Sequence, residues 1–153
     1  MRIVRRLRST PFRTFIVYPL LIVGWELVLN HGRLRFEPWF LPLLPWGYLQ
    51  YRLIGKYRIR HGGGGPGMET PPERLVTGGP FAWCRNPMYL GHIIFLLGLT
   101  LCLRSALGAA ITVATLAWFQ YRVTRDEKRL RERFGQPYLD YTARVKRWIP
   151  GLL

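Results

Sequence analysis

The sequence predicts an all-α fold: a polytopic membrane helical bundle of about four transmembrane helices with a C-terminal amphipathic helical tail, organised as one domain over residues 1–153. Three observations carry that reading. Long apolar runs alternate with basic blocks. The basic residues fall on alternate sides of those runs. The tail then repeats apolar residues at helical spacing among arginines and lysines.

The first run, TFIVYPLLIVGWELVL, predicts a span over about 14–30. A second, over about 36–54, contains Pro38, Pro42 and Pro45. The third and fourth cover about 86–103 and 105–121. Each is near the lower limit for crossing a hydrocarbon core about 30 Å thick. Only Arg104 and Ser105 separate the last two, which predicts a tight antiparallel hairpin.

Charge placement gives the orientation. The chain is 49% hydrophobic, yet its formal net charge is +15. The N-terminal segment holds Arg2, Arg5, Arg6, Arg8 and Arg13, the segment 52–85 holds six Lys and Arg, and the tail from Arg122 holds nine. The intervening turns hold only Arg33, Arg35 and Arg104. Positive residues are retained on the cytoplasmic side, so both termini are expected there. The same charge suits nucleic-acid binding, but that reading leaves the apolar hairpin unexplained. A basic start before an apolar run also describes a signal peptide; here no small-x-small site follows, and Glu26 interrupts the run. Cys84 and Cys102 stand at opposite ends of the third span, about 27 Å apart at 1.5 Å per residue, too far for a disulfide. The three histidines are scattered, and no metal-ligand cluster is visible.

The connector, residues 57–85, is rich in Gly and Pro from His61 to Pro80 and reads as a cytoplasmic loop. Gly62–Gly65 lacks the Gly-Lys-Ser/Thr of a phosphate loop. The tail, 122–153, reads as two short amphipathic helices. Val123, Glu127, Leu130 and Phe134 form one stripe; Gly135 stops that helix and Pro137 starts another bearing Tyr138, Tyr141, Val145 and Trp148. Glu127 is a carboxylate on an apolar stripe, where it either pairs with Arg131 at i+4 or faces a site. Asp126 is turned about 100° from it and shares a face with Arg122.

The third span opens on polar groups. Arg85, Tyr89 and His92 are spaced i, i+4, i+7 and share one face, and Pro87 suits the first turn. An interfacial belt of Trp83, Arg85 and Tyr89 at the headgroups accounts for part of this. His92 lies deeper, where an ionisable group is a functional candidate or a neutral core histidine.

Two blocks, LVTGGPFAWCRNPMYLG (75–91) and DEKRLRERFGQPYLDY (126–141), closed by RWIP (147–150), resemble the isoprenylcysteine carboxyl methyltransferase family. The related phospholipid methyltransferases are similar around Asn86-Pro87-Met88-Tyr89. The resemblance covers roughly 73–150. It implies an integral membrane enzyme that uses S-adenosylmethionine at the cytoplasmic end of the bundle. On that resemblance, Glu73, Arg74, Leu75 and Val76 match the segment lining the cofactor with its backbone, and Phe81 matches an aromatic that is usually tyrosine. Asn86, Pro87, Met88 and Tyr89 match an R-H-P-x-Y element at the cofactor. Asp126 with Glu127 matches the acidic pair that binds it, and Arg122 matches the arginine that holds the acceptor. Asn86 stands where the family has histidine, Asp126 where it has glutamate, and Phe81 lacks the phenol. Asparagine still donates and accepts.

The implied partners are a lipophilic acceptor (an isoprenylcysteine carboxylate, a lipid or a small hydrophobic molecule) and membrane lipid, with no nucleic acid. A carboxylate acceptor needs no base; for an amine or thiol, His92 or a tail tyrosine is a candidate to take the proton. Two other readings stand beside this one. A sterol-reductase-like protein would use NADPH and normally has more spans. A non-enzymatic membrane adaptor would hold its basic tail on anionic lipid, at about 1 kcal/mol per basic residue, but gives no reason for the Arg-Asn-Pro-Met-Tyr element.

Overall fold

The computed structural model describes residues 9–65 and 70–149; Arg2, Arg5, Arg6 and Arg8, connector residues 66–69 and Pro150 of the RWIP block lie outside them. Every regular element among the described residues is a helix, and none is a strand. Five helices follow in order: α1 (Thr10–Leu29), α2 (Leu43–Gly62), α3 (Pro87–Leu103), α4 (Ala106–Phe134) and α5 (Gln136–Arg144). Arg13–Val17 within α1 is wound as a wider π-helix. Short 3₁₀ turns cover Pro38–Phe40 and Gly79–Ala82.

Among the described residues, Thr10–Leu29 is the one helix long and apolar enough to cross a membrane, and only 17% of its apolar window is buried. Pro87–Leu103 is apolar but shorter. The second helix begins at Leu43, later than the apolar run predicts. Pro38 is taken into a 3₁₀ turn, and Pro45 falls in the first turn of α2, where a missing N–H breaks no intrahelical bond. The helix then continues through Arg52, Lys56 and Arg58 to Gly62, so the first residues of the predicted connector are helical.

The chain packs as two compact units, Met1–Leu49 with Gly91–Ala117, and Gln50–Leu90 with Trp118–Leu153. In the first unit, Ile22, Leu99 and Leu103 form a buried cluster with Val23, Leu44 and Ile111 against it. Gly47 permits close contact of α2 with α3: a Cβ there would sit 2.5 Å from the Gly91 carbonyl oxygen and the Phe95 nitrogen. The predicted hairpin forms, with Arg104 in the left-handed region (φ 48°) and the Thr100 and Thr112 hydroxyls 3.1 Å apart. Ser105 caps α4 by accepting the Gly108 N–H at 3.0 Å. Its hydroxyl donates to Glu26 Oε1 at 2.6 Å, and Asn30 Nδ2 donates to Oε2 at 3.1 Å. The residue that interrupts the first apolar run is thus a buried, hydrogen-bonded carboxylate, 9% exposed.

In the second unit, the tail departs from prediction at two places. Helix α4 is continuous from Ala106 to Phe134, because no Gly or Pro breaks it before Gly135. There the chain turns with φ 58°, a conformation that favours glycine. Helix α5 ends at Arg144, and Val145 is extended, so Val145 and Trp148 do not continue the helical stripe. Tertiary pairing accounts for this: the Arg85 N–H donates to the Lys146 carbonyl at 3.0 Å, and Trp148 Nε1 donates to Gln120 Oε1 at 2.8 Å. Those bonds need the chain to leave the helix at Val145.

Candidate functional site

The second unit gathers most of the polar side chains singled out in the sequence. Tyr89, in the first turn of α3, donates its phenol hydrogen to Asp126 Oδ2 at 3.0 Å. Arg122, one turn earlier on α4, has Nε 3.9 Å from the same oxygen, which realises the predicted i,i+4 pair. The Tyr89 ring lies 4.7 Å from the Phe119 ring, which is fully buried. Asp126 is 9% exposed, and burial pushes its carboxyl above the ordinary aspartate range, opposed by the Tyr89 hydrogen bond and the charges of Arg122, Arg129 and Arg58.

Glu127 faces a different group, as the turn of about 100° between neighbours requires. It accepts Arg147 Nε at 3.2 Å and Nη2 at 2.7 Å in a forked contact, and Arg85 Nη1 lies 3.3 Å from Oε1. Its partners are therefore arginines distant in sequence rather than Arg131. The Arg147 carbonyl accepts Asn86 Nδ2 at 3.2 Å and Cys84 Sγ at 3.4 Å. Asn86, which also accepts the Leu90 N–H at 3.1 Å, thus fastens the chain after α5 to the start of α3. Burial raises the Cys84 thiol pKa, which leaves it a protonated donor.

The remaining expected residues frame these clusters. The Pro87 carbonyl accepts Gln50 Nε2 at 2.9 Å. A Cβ on Gly55 would meet Met88 Cε at 3.4 Å. The N–H groups of Glu73 and Arg74 both donate to the Gly62 carbonyl, at 2.7 and 3.0 Å, so they are engaged with the end of α2. Val76 packs on Gly62, where a Cβ would lie 2.7 Å from Val76 Cγ2, and Leu75 is half-buried. Phe81 is buried, and its carbonyl accepts the Tyr141 hydroxyl at 2.7 Å. Burial holds the Tyr141 phenol well above its usual range and pushes Tyr138 up to about 12. Both tail tyrosines therefore stay protonated at neutral pH and are poorly suited to act as bases.

His92 belongs to the first unit. It is 2% exposed, and its ring stacks on Phe15 at 4.8 Å. Sequence reasoning missed Arg58, whose charge acts on Tyr89 and Asp126. It also gave no role to Arg147, although that residue lies in the RWIP block. The i+3 spacing of Arg58 from Gly55 was the available signal for the first. Nothing local signals a pairing between Glu127 and a residue twenty positions on.

Residues 65–137 match the phospholipid methyltransferase family. The chain is 35% identical over 83 residues to the mouse protein-S-isoprenylcysteine O-methyltransferase, covering 54% of this chain and 29% of the relative. It is 33% identical over 80 residues to protein-S-isoprenylcysteine O-methyltransferase B of Arabidopsis thaliana, covering 51% of this chain and 40% of that one. It is also 33% identical over 78 residues to the nickel-cobalt-cadmium resistance protein NccN of Alcaligenes xylosoxydans xylosoxydans, covering 51% and 37%. The matched stretch spans between 29% and 40% of the length of these relatives.

Proposed function

We propose, from the premise that the chain belongs through residues 65–137 to the isoprenylcysteine and phospholipid methyltransferase family, that it is an S-adenosylmethionine-dependent methyltransferase acting on a lipophilic acceptor. The observation that carries this is the Tyr89–Asp126 hydrogen bond with Arg122 beside it, within the region that matches the family. The names of the relatives favour a prenylated cysteine carboxylate as the acceptor.

The residues of the second unit fit such a donor. It carries ribose hydroxyls and an ammonium, which a carboxylate binds, a carboxylate, which a guanidinium binds, and an adenine, which aromatic rings accept. Asp126, the neighbouring arginines and the Tyr89–Phe119 pair supply those groups. When bound, S-adenosylmethionine supplies a methyl group already activated on a sulfonium, so alignment and exclusion of water provide most of the acceleration. Tyr89 orients the Asp126 carboxylate. Arg122 holds the anionic end of the acceptor. Glu127, through Arg85 and Arg147, keeps the chain after α5 closed against the start of α3. The backbone of 73–76, Phe81 and the Asn86–Met88 turn complete the donor site.

The same reading makes α1, the segment over about 36–54 that includes the first part of α2, α3 and the apolar part of α4 membrane spans, about four, with both termini cytoplasmic and the lipophilic acceptor entering from the bilayer. The exposed apolar residues Leu20, Trp25 and Val28 of α1 and Val113 of α4 suit lipid contact. The test is transfer of a labelled methyl group, in membranes carrying the full chain, to an N-acetylated S-farnesyl cysteine and, in parallel, to a phospholipid amine. Transfer to the cysteine derivative is expected, with kcat/KM about 100-fold lower in Asp126→Asn. Transfer to neither acceptor, with S-adenosylhomocysteine failing to bind, overturns the reading.

A further inference from the structure

The second unit has an outward face whose chemistry changes along its length. On α4, Trp118, Tyr121, Arg125 and Lys128 follow at spacings of three, four and three, so they form one stripe, and all four are exposed. The two rings stand 6.0 Å apart, and the Arg125 guanidinium carbon lies 5.7 Å from the centre of the Tyr121 ring. The acids of the same turns point elsewhere: Asp126 is buried against Tyr89, and Glu127 is held by Arg85 and Arg147. The stripe therefore passes from aromatic to basic with no acid between.

A second segment is brought to the same level. After α5, the Lys146 carbonyl accepts the Arg85 N–H, the Arg147 carbonyl accepts Asn86 Nδ2, and Trp148 Nε1 reaches Gln120, the neighbour of Tyr121. These bonds return residues 146–148 to the start of α3 and to the aromatic turn of α4. Lys146 and Ile149 stay exposed, and Trp83, just before α3, is 72% exposed. Folding into a soluble core would hide such rings. Aromatic rings left open beside bases are instead the composition of a membrane–water boundary, with rings at the hydrocarbon edge and bases at the phosphates.

Resting on the reading of α3 and α4 as spans, we propose that this face docks on anionic phospholipid of the cytoplasmic leaflet. Trp83, Tyr121 and Ile149 sit at the hydrocarbon edge, and Arg125 and Lys146 engage lipid phosphates. Residues 145–149 then form a surface anchor that lipid composition holds or releases. Helix α4 itself leaves the surface, because it runs unbroken past Arg125. Arg133 stands about 12 Å farther along its axis, beyond a Debye length of about 8 Å, and takes no part.

The test sets a nitroxide on the full chain through Ile149→Cys; Cys84 and Cys102 are buried and escape the label. The protein is reconstituted in nanodiscs of phosphatidylcholine, alone or mixed with phosphatidylglycerol, and relaxation by a water-soluble nickel chelate reads exposure. The label should be shielded with phosphatidylglycerol and exposed without it. Arg125→Gln with Lys146→Gln should move the docked-to-free ratio at least about tenfold toward free, from two bases near the surface. Arg133→Gln should leave it within about twofold, and Arg125→Lys with Lys146→Arg should keep the shielding. A label exposed in both lipids overturns the inference, as does shielding that appears only on adding RNA. Equal shielding in both lipids, or in the double glutamine variant, overturns it too, since apolar contact alone would then hold the segment. A label at Val113→Cys should read hydrocarbon throughout; if it reads water, the span reading itself fails and this inference with it, an outcome distinct from the others.

Discussion

Asp126 and Glu127 are adjacent acids with different work. Asp126 faces Tyr89 and Arg122, while Glu127 bridges Arg85 and Arg147. Their variants should therefore separate. Asp126→Asn should lower donor affinity with little change in melting temperature. Glu127→Gln should lose about 1–2 kcal/mol of stability, because two arginines lose their shared partner at a partly exposed site; thermal unfolding in detergent measures both. Tyr138 gives a second test. It is 2% exposed and its phenol is pushed up to about 12 by burial, then by the charge of Glu127. The folded state therefore holds the phenolic proton more tightly than the unfolded chain, whose tyrosine titrates near about 10. That stabilisation is complete below about pH 10 and is lost as pH rises toward about 12, on the order of 2–3 kcal/mol. Tyr138→Phe should flatten the alkaline unfolding curve in that window, and an unchanged curve would contradict the burial argument. At this scale the sequence was partly legible. The i,i+4 pair of Arg122 and Asp126 follows from spacing alone, whereas the partners of Glu127 come from a segment twenty residues away that no local period reveals.

Helix boundaries follow from rules that the sequence states openly in some places and conceals in others. Gly135 and the Arg104–Ser105 turn are marked by residue type, and the structure breaks there. The end of α5 is not so marked, since the apolar stripe through Tyr138 and Tyr141 continues on paper to Val145 and Trp148. Hydrogen bonds from Arg85 and Trp148 override that periodicity. Two substitutions test the packing of single elements. Gly47→Ala sets a methyl group 2.5 Å from the α3 backbone, so the helices must move apart, at a cost of about 1–3 kcal/mol. Ser105→Ala removes both the cap of α4 and the donor to buried Glu26, and should cost about 1–3 kcal/mol. Denaturation in detergent measures each, and a change within about 0.5 kcal/mol would mean that the contact is not made.

The pattern of the whole chain carried its class furthest: apolar runs and basic blocks point to an all-helical fold, and two motif blocks in order carry a resemblance to the isoprenylcysteine carboxyl methyltransferases. What stayed hidden was how a helix divides its length between uses. Helix α4 is 29 residues, about 44 Å at 1.5 Å per residue, and passes without a break from an apolar half to a basic half that carries Arg122, Asp126 and Glu127. Residue type signals a break, and none is present before Gly135, so the first tail helix continues the fourth apolar run instead of standing apart from it. The charge asymmetry makes a claim at this scale too: reporter fusions at either terminus should both read as cytoplasmic in intact cells, and an external C-terminus would contradict the orientation. The central claim is that the second unit binds a methyl donor through Asp126. Calorimetric titration of the detergent-purified chain with S-adenosylhomocysteine tests it most directly. Saturable binding that weakens at least about tenfold in Asp126→Asn, and is unchanged in Ser105→Ala, is the predicted result. No heat of binding in the folded wild type at millimolar ligand would contradict it.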